Sequence, residues 1–145
     1  MDYRKQINLI DVSRVNTPIN VIGCGALGSW LVLFLLKMGF KNIYVYDFDT
    51  IEEHNLPNQA FFEKQIGMLK VKAMEDICND NCFDAKERVT FIDKKITSRD
   101  VLRLEGIILC AVDSMKVRES IYANSIKRDL CDLFIEARLS IYDAY

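Results

Sequence analysis

Three glycines, Gly23, Gly25 and Gly28, follow directly on the apolar run Ile19-Asn20-Val21-Ile22 and lead into the apolar stretch Ser29–Met38. A strand that feeds a helix through G-x-G-x-x-G leaves few architectures open. The first glycine permits a tight turn, the second lets a ligand approach the backbone, and the helix N-terminus behind them carries positive partial charge. The junction predicts a phosphate-binding turn within an α/β sheet.

The rest of the chain repeats the alternation. Ile43–Tyr46, β-branched and aromatic, reads as a second strand ending in Asp47-Phe48-Asp49. Residues 50–66 keep no regular period and carry Asn55, Pro57, Asn58 and Gln59, as a long ligand-covering loop would. Ile66, Leu69, Ala73, Met74 and Ile77 form a helical stripe to about Asp80. Val89–Ile92 is a third strand, followed by a short helix around Asp100–Leu104. Ile107–Val112 is a fourth strand ending at Asp113, Met115–Leu130 a helix, and Leu133–Ala137 a fifth strand. Strands alternating with helices imply right-handed crossovers and a Rossmann-like, doubly wound, mainly parallel sheet. The first helix, closed by Gly39, is apolar nearly all round and is expected to be covered on most sides. Residues 1–17 read as a polar arm, separated by Pro18 from a single domain over 18–145.

Composition removes several partner classes. A net charge of −2 offers no basic field, so no nucleic-acid partner is expected. The N-terminus lacks a secretory core, and the most apolar run, Trp30–Leu36, is far short of the ~20 residues of a membrane span. A cytoplasmic protein without a membrane partner is the expectation. Five cysteines without a C-x-x-C pair, beside one histidine, predict no structural zinc and a reduced intracellular chain in which the thiols are small core residues.

Ligands on parallel sheets bind outside the carboxyl ends of the strands. The Gly loop, Asp47 with Asp49, and Asp113 with Ser114 all fall at such ends and should converge on one crevice. Asp47 lies 19 residues beyond Gly28, a spacing suited to a carboxylate that accepts hydrogen bonds from ribose hydroxyls. These features alone suit a nicotinamide dehydrogenase as well as an ATP enzyme.

Further motifs separate the two. The run Asp47-Phe48-Asp49-Thr50-Ile51-Glu52-Glu53-His54-Asn55-Leu56-Pro57-Asn58-Gln59, then Ile66-Gly67-Met68-Leu69-Lys70, then Asp113-Ser114-Met115-Lys116-Val117-Arg118, resembles the ThiF/MoeB/HesA family. That family includes the adenylation domains of ubiquitin-activating enzymes, and its pattern reads GxGxLGS, D-x-D, N-L-x-R-Q, I-G-x-x-K and D-[NS]-x-x-x-R. The likeness runs from about Val21 to Arg138 with order and spacing kept. It implies ATP·Mg²⁺ as cofactor and adenylation of the C-terminal carboxylate of a ubiquitin-like or sulfur-carrier protein. Carried over, Gly23, Gly25, Ala26, Leu27 and Gly28 cradle the nucleotide, and Asp47 holds the ribose. Asp49, Asn55, Gln59 and Ser114 line the site, Lys70 reaches the phosphates, and Asp113 helps to hold Mg²⁺. On the residues alone, Lys70 also reads as a solvated surface lysine, Asp113 as a helix cap and Arg118 as a structural bridge. His54 is expected to play no part as a base, because the attacking carboxylate is already ionised. Tyr44 and Tyr46 read as packing residues.

Two departures stand out. The arginine of N-L-x-R-Q falls on Asn58, and Lys64, Lys72, Arg4, Lys5 or an arginine of a second subunit are the candidates to replace its charge. The chain also stops at Tyr145, where family members usually continue, so an adenylation half-site abbreviated at its C-terminus and without a thioester cysteine is expected. An apolar edge strand at Leu133–Ala137 and the family habit both predict a homodimer. A non-catalytic module that binds nucleotide or carrier is the alternative. An NAD-dependent oxidoreductase would lack a substrate domain.

Overall fold

Ile19–Ile22, strand β1, is buried at all four positions, as a central strand covered on both faces must be. The computed structural model describes residues 11–125 and 131–137. Around β1 lie β2 (Ile43–Asp47), β3 (Val89–Asp93), β4 (Gly106–Cys110) and β5 (Cys131–Glu136), in the order β3-β2-β1-β4-β5 with every pairing parallel. The order reverses between β1 and β4, which makes that the switch point of a doubly wound sheet. The register sets Ile22 beside Tyr46 on one side and Cys110 on the other. Gly23, Asp47 and Ala111 therefore leave the sheet at one level.

Helices α1 (Gly28–Met38) and α2 (Lys70–Asn81) pack on one face over a core that includes Val21, Leu36, Val45 and Met74. After the single-turn helix α3 (Ala85–Arg88), helices α4 (Ser98–Val101) and α5 (Met115–Ser125) cover a second core built on Ile22, Ile108 and Ile121. Gly39 ends α1 in the left-handed conformation, φ 100°, as the sequence predicts. The buried Arg88 then satisfies loose carbonyls at that end, donating to Phe40 O at 2.9 Å and to Leu36 O while pairing with Asp84.

One expectation about α1 fails. Trp30, Phe34 and Met38, four residues apart, form an exposed stripe. The sheet and α2 cover only one side of this helix, and a segment apolar all round carries no signal for which side that is. The loop over 50–66 is irregular as expected but contains two single turns, Glu53–Asn55 and Glu63–Gln65. The expected continuation of α5 to Leu130 lies outside the described residues. Residues 12–16 form a 3-10 turn with Val15 buried, and its carbonyl accepts from Lys41 N–H at 2.9 Å. No helix among the described residues is long and apolar enough to cross a membrane.

Candidate functional site

The carboxyl ends of the strands open into a cleft of about 810 Å³. Its floor is the Gly loop, where the glycines answer different demands. Gly23 turns at φ 96°, and a Cβ there would come within 2.9 Å of Ala111 O. A Cβ on Gly28 would lie 1.8 Å from Gly23 O, so the turn closes onto the start of α1 only with glycine. Gly25 differs, because a Cβ there would meet no described atom within 4 Å. It lines the cleft with Ala26 and Leu27, so the protein's own packing does not require this glycine. A group drawn close to the backbone from the cleft would require it.

Asp47 is buried at the end of β2. Its Oδ2 accepts from Cys24 N–H at 2.6 Å and its Oδ1 from Asp49 N–H at 2.8 Å. The carboxylate locks the second strand to the Gly loop, and two of its four lone-pair sites take no part in these two bonds. Burial pushes the Cys24 thiol well above its ordinary pKa, with the Asp47 charge adding to it, which disfavours the thiolate.

Lys70 opens α2, and its side chain is only 9% exposed, which removes the reading as a solvated surface lysine. Its N–H donates to Asp49 O at 2.9 Å, a Thr50–Leu69 bridge lies alongside, and its Nζ pairs with Asp49 Oδ2 at 3.2 Å. The backbone clamp brings residues 21 places apart in sequence to one wall. In the loop between them, Asn55 Oδ1 accepts from Glu52 N–H at 3.0 Å and Asn55 O from Gln59 N–H at 3.1 Å. Gln59 Oε1 is buried on the cleft wall with no partner among the described residues. A ligand donor would satisfy this orphaned acceptor. His54 stands at the rim, its side chain 73% exposed.

Asp113 and Ser114 follow β4 and face the cleft. Ser114 Oγ, at 3.5 Å, accepts from Val117 N–H, so the cap on α5 belongs to Ser114 rather than Asp113. Arg118 is the expected bridge. Its buried guanidinium donates to Val112 O, to Glu136 Oε1 at 2.7 Å and to Ala137 O at 2.9 Å, tying β4 to β5. Tyr46 is half-buried beneath the cleft, with its hydroxyl 3.4 Å from Asn20 Oδ1.

Asn58 lies on the cleft wall as anticipated, but two of the lysines expected to compensate for it do not. Lys64 borders a separate groove of about 260 Å³, and Lys72 pairs with Glu75 at 2.9 Å. Arg4 and Lys5 lie outside the described residues. Two participants escaped the sequence reading. Buried Ser29 donates from Oγ to Gly25 O at 2.7 Å and accepts from Ala60 N–H at 3.1 Å, joining the Gly loop to the covering loop. Lys95, beyond β3, also reaches the cleft. The final serine of GxGxLGS is the one sequence signal that marks Ser29; nothing marks Lys95.

The ThiF family model matches residues 6–138. The NEDD8-activating enzyme E1 catalytic subunit of Caenorhabditis elegans is 33% identical over 122 residues, 83% of this chain and 27% of that protein. The maize (Zea mays) adenylyltransferase and sulfurtransferase MOCS3-1 is 31% identical over 104 residues, 70% of this chain and 22% of that protein. The chain thus spans about a quarter of the length of these relatives. Among solved structures, the E. coli tRNA N6-threonylcarbamoyladenosine dehydratase TcdA, in complex with ATP, superposes with a TM-score of 0.75. It is 21% identical, with 92% of this chain and 54% of that chain covered, a likeness of fold.

Proposed function

The chain belongs to the ThiF family, and from that premise we propose that it binds ATP·Mg²⁺ and adenylates the C-terminal carboxylate of a ubiquitin-like or sulfur-carrier protein. The observation that carries this reading is the convergence of the Gly loop, Asp47, the buried Lys70 and Asp113 on one cleft. A hydride-transfer site has no use for a lysine and a carboxylate placed about a triphosphate, whereas nucleotidyl transfer depends on positioning and on neutralising phosphate charge. The open space before Gly25 and the orphaned Gln59 Oε1 both suit a nucleotide.

In this reading Asp47 fixes the ribose, and the amides of the Gly loop face the phosphates. Lys70 exchanges its Asp49 partner for phosphate oxygens, and Asp113 takes the metal. No three acidic, histidine or cysteine side chains form a metal cage among the described residues. Mg²⁺ fits that arrangement, since one or two carboxylates plus phosphate oxygens ordinarily hold it, and its role is to offset charge on the leaving pyrophosphate. The carrier carboxylate attacks the α-phosphorus already ionised, so no base is required and the exposed His54 has no step to perform. A homodimer and a cytoplasmic location complete the proposal. Leu133 and Ile135 lie about half exposed on the edge strand β5, and the five unpaired thiols suit a reducing compartment.

ATP–pyrophosphate exchange with a panel of carrier proteins tests the reaction. Exchange that appears only with a carrier bearing a free C-terminal carboxylate supports it. Nucleotide binding without exchange for any carrier would favour a binding module instead.

A further inference from the structure

Away from the cleft, the chain from Phe62 to Met68 and helix α2 enclose the separate groove of about 260 Å³. Among the described residues, none lines both openings. Gln65 ties the two walls of the groove together. Its Nε2 donates to Ala73 O of α2 at 3.2 Å, and its Oε1 accepts from Phe62 N–H at 3.0 Å. The groove is thus formed before anything enters it. Its apolar side is open, because Phe62 is 57% exposed beside the partly buried Met68 and the buried Ile77. Its charged side is acidic. Asp76 and Asp80, one helical turn apart on α2, are exposed and enter no salt bridge among the described residues. Lys72, on the same helix, is taken by Glu75 at 2.9 Å, which leaves Lys64 as the one lysine on the groove.

Size and charge together select an occupant. The volume falls below the ~300–1,000 Å³ of small-molecule sites and suits roughly one or two side chains of a polypeptide. An acidic segment or a nucleic acid would set like charge against two carboxylates with only Lys64 to offset it. We propose that this groove docks a basic segment of a partner polypeptide. An apolar side chain of that segment packs against Phe62, Met68 and Ile77, and a neighbouring lysine or arginine pairs with Asp76 and Asp80. The apolar anchor supplies most of the affinity, and the two carboxylates supply the selectivity. Because the groove shares no residue with the cleft, this inference stands apart from the nucleotide-binding reading above.

The test selects binders from a random displayed peptide library on the full chain, then measures a recovered peptide, synthesised with a fluorophore, by anisotropy. The variants are Phe62→Ser and the pair Asp76→Asn with Asp80→Asn. All three positions are exposed, so both proteins should melt with the unaltered chain. Recovered sequences should set an apolar residue beside lysine or arginine. Affinity should fall about fivefold in the double asparagine variant at low salt, and that difference should vanish at high salt. Phe62→Ser should cost about tenfold at either salt. Acidic or wholly apolar recovered sequences, or no enrichment over a bare surface, would overturn the proposal. So would recovered peptides that bind both variants as tightly as the unaltered chain. Displacement of the peptide by excess unlabelled Asp76→Asn/Asp80→Asn chain, whose own groove no longer competes for it, would overturn the partner by making the groove a contact between two copies.

Discussion

Gly25 and Gly28 are glycine for opposite reasons, and single substitutions separate them. At Gly28 a methyl group would collide with backbone at 1.8 Å, so Gly28→Ala should destabilise by roughly 4 kcal/mol or more, or abolish folding. At Gly25 the methyl enters open space, so Gly25→Ala should leave chemical-denaturation stability within about 1 kcal/mol while nucleotide affinity falls at least tenfold in titration. A Gly25→Ala variant that binds ATP normally would mean the space has no ligand. Lys70 and Asp113 carry the chemistry of the proposal. Lys70→Ala and Asp113→Ala should each slow pyrophosphate exchange by about 10²–10³, and Asp113→Ala should weaken Mg²⁺-dependent chemistry more than nucleotide binding. Unchanged exchange in both would remove these roles. The resemblance pointed to both residues because each stands within a short motif at the end of a predicted element. What Ser29 and Lys95 touch was illegible for a common reason, although the GxGxLGS motif marks Ser29 itself. Their partners, Ala60 and Phe48, are 31 and 47 residues away, and only the closed fold brings them together.

At the scale of elements, runs of β-branched and aromatic residues marked every strand to within a residue or two, because buried parallel strands need little else. Helix α1 was legible as a helix and misjudged in its orientation. Its uniform apolarity hides the outward stripe of Trp30, Phe34 and Met38, and Trp30 is turned to use, donating from Nε1 to Asn58 O at 3.2 Å. The loop over 50–66 was legible as irregular but not as ordered. Its turns depend on side chains closing on backbone three residues back, Asn55 on Glu52 and Gln65 on Phe62, a pattern without hydrophobic period. Ser29 is the joint between this loop and α1. Ser29→Ala would strand the buried Ala60 N–H, at a cost of about 1–3 kcal/mol, and should speed amide exchange across 58–60 more than in the strands. Uniform protection in the variant would show that the loop is held by other means.

For the whole molecule, the strand order could be inferred only as a class, since alternation specifies right-handed crossovers but not which strand lies beside β1. The structure supplies β3-β2-β1-β4-β5, and with it the convergence of three strand ends on one cleft. The edge strand β5 exposes Leu133 and Ile135, and the proposed homodimer would cover such a surface. Light scattering should then report self-association, with nucleotide affinity rising with protein concentration and Asn58→Arg lessening that dependence. A clean monomer with concentration-independent binding would refute the dimer and the sharing of charge between subunits. The central claim, that this cleft is built for ATP·Mg²⁺ and not for a nicotinamide dinucleotide, is tested most directly by the melting temperature with each ligand. ATP·Mg²⁺ at a hundred times its dissociation constant should stabilise the chain by about 2.7 kcal/mol, a rise of several degrees, and NAD should leave the transition in place. Stabilisation by NAD equal to or greater than that by ATP·Mg²⁺ would contradict the account.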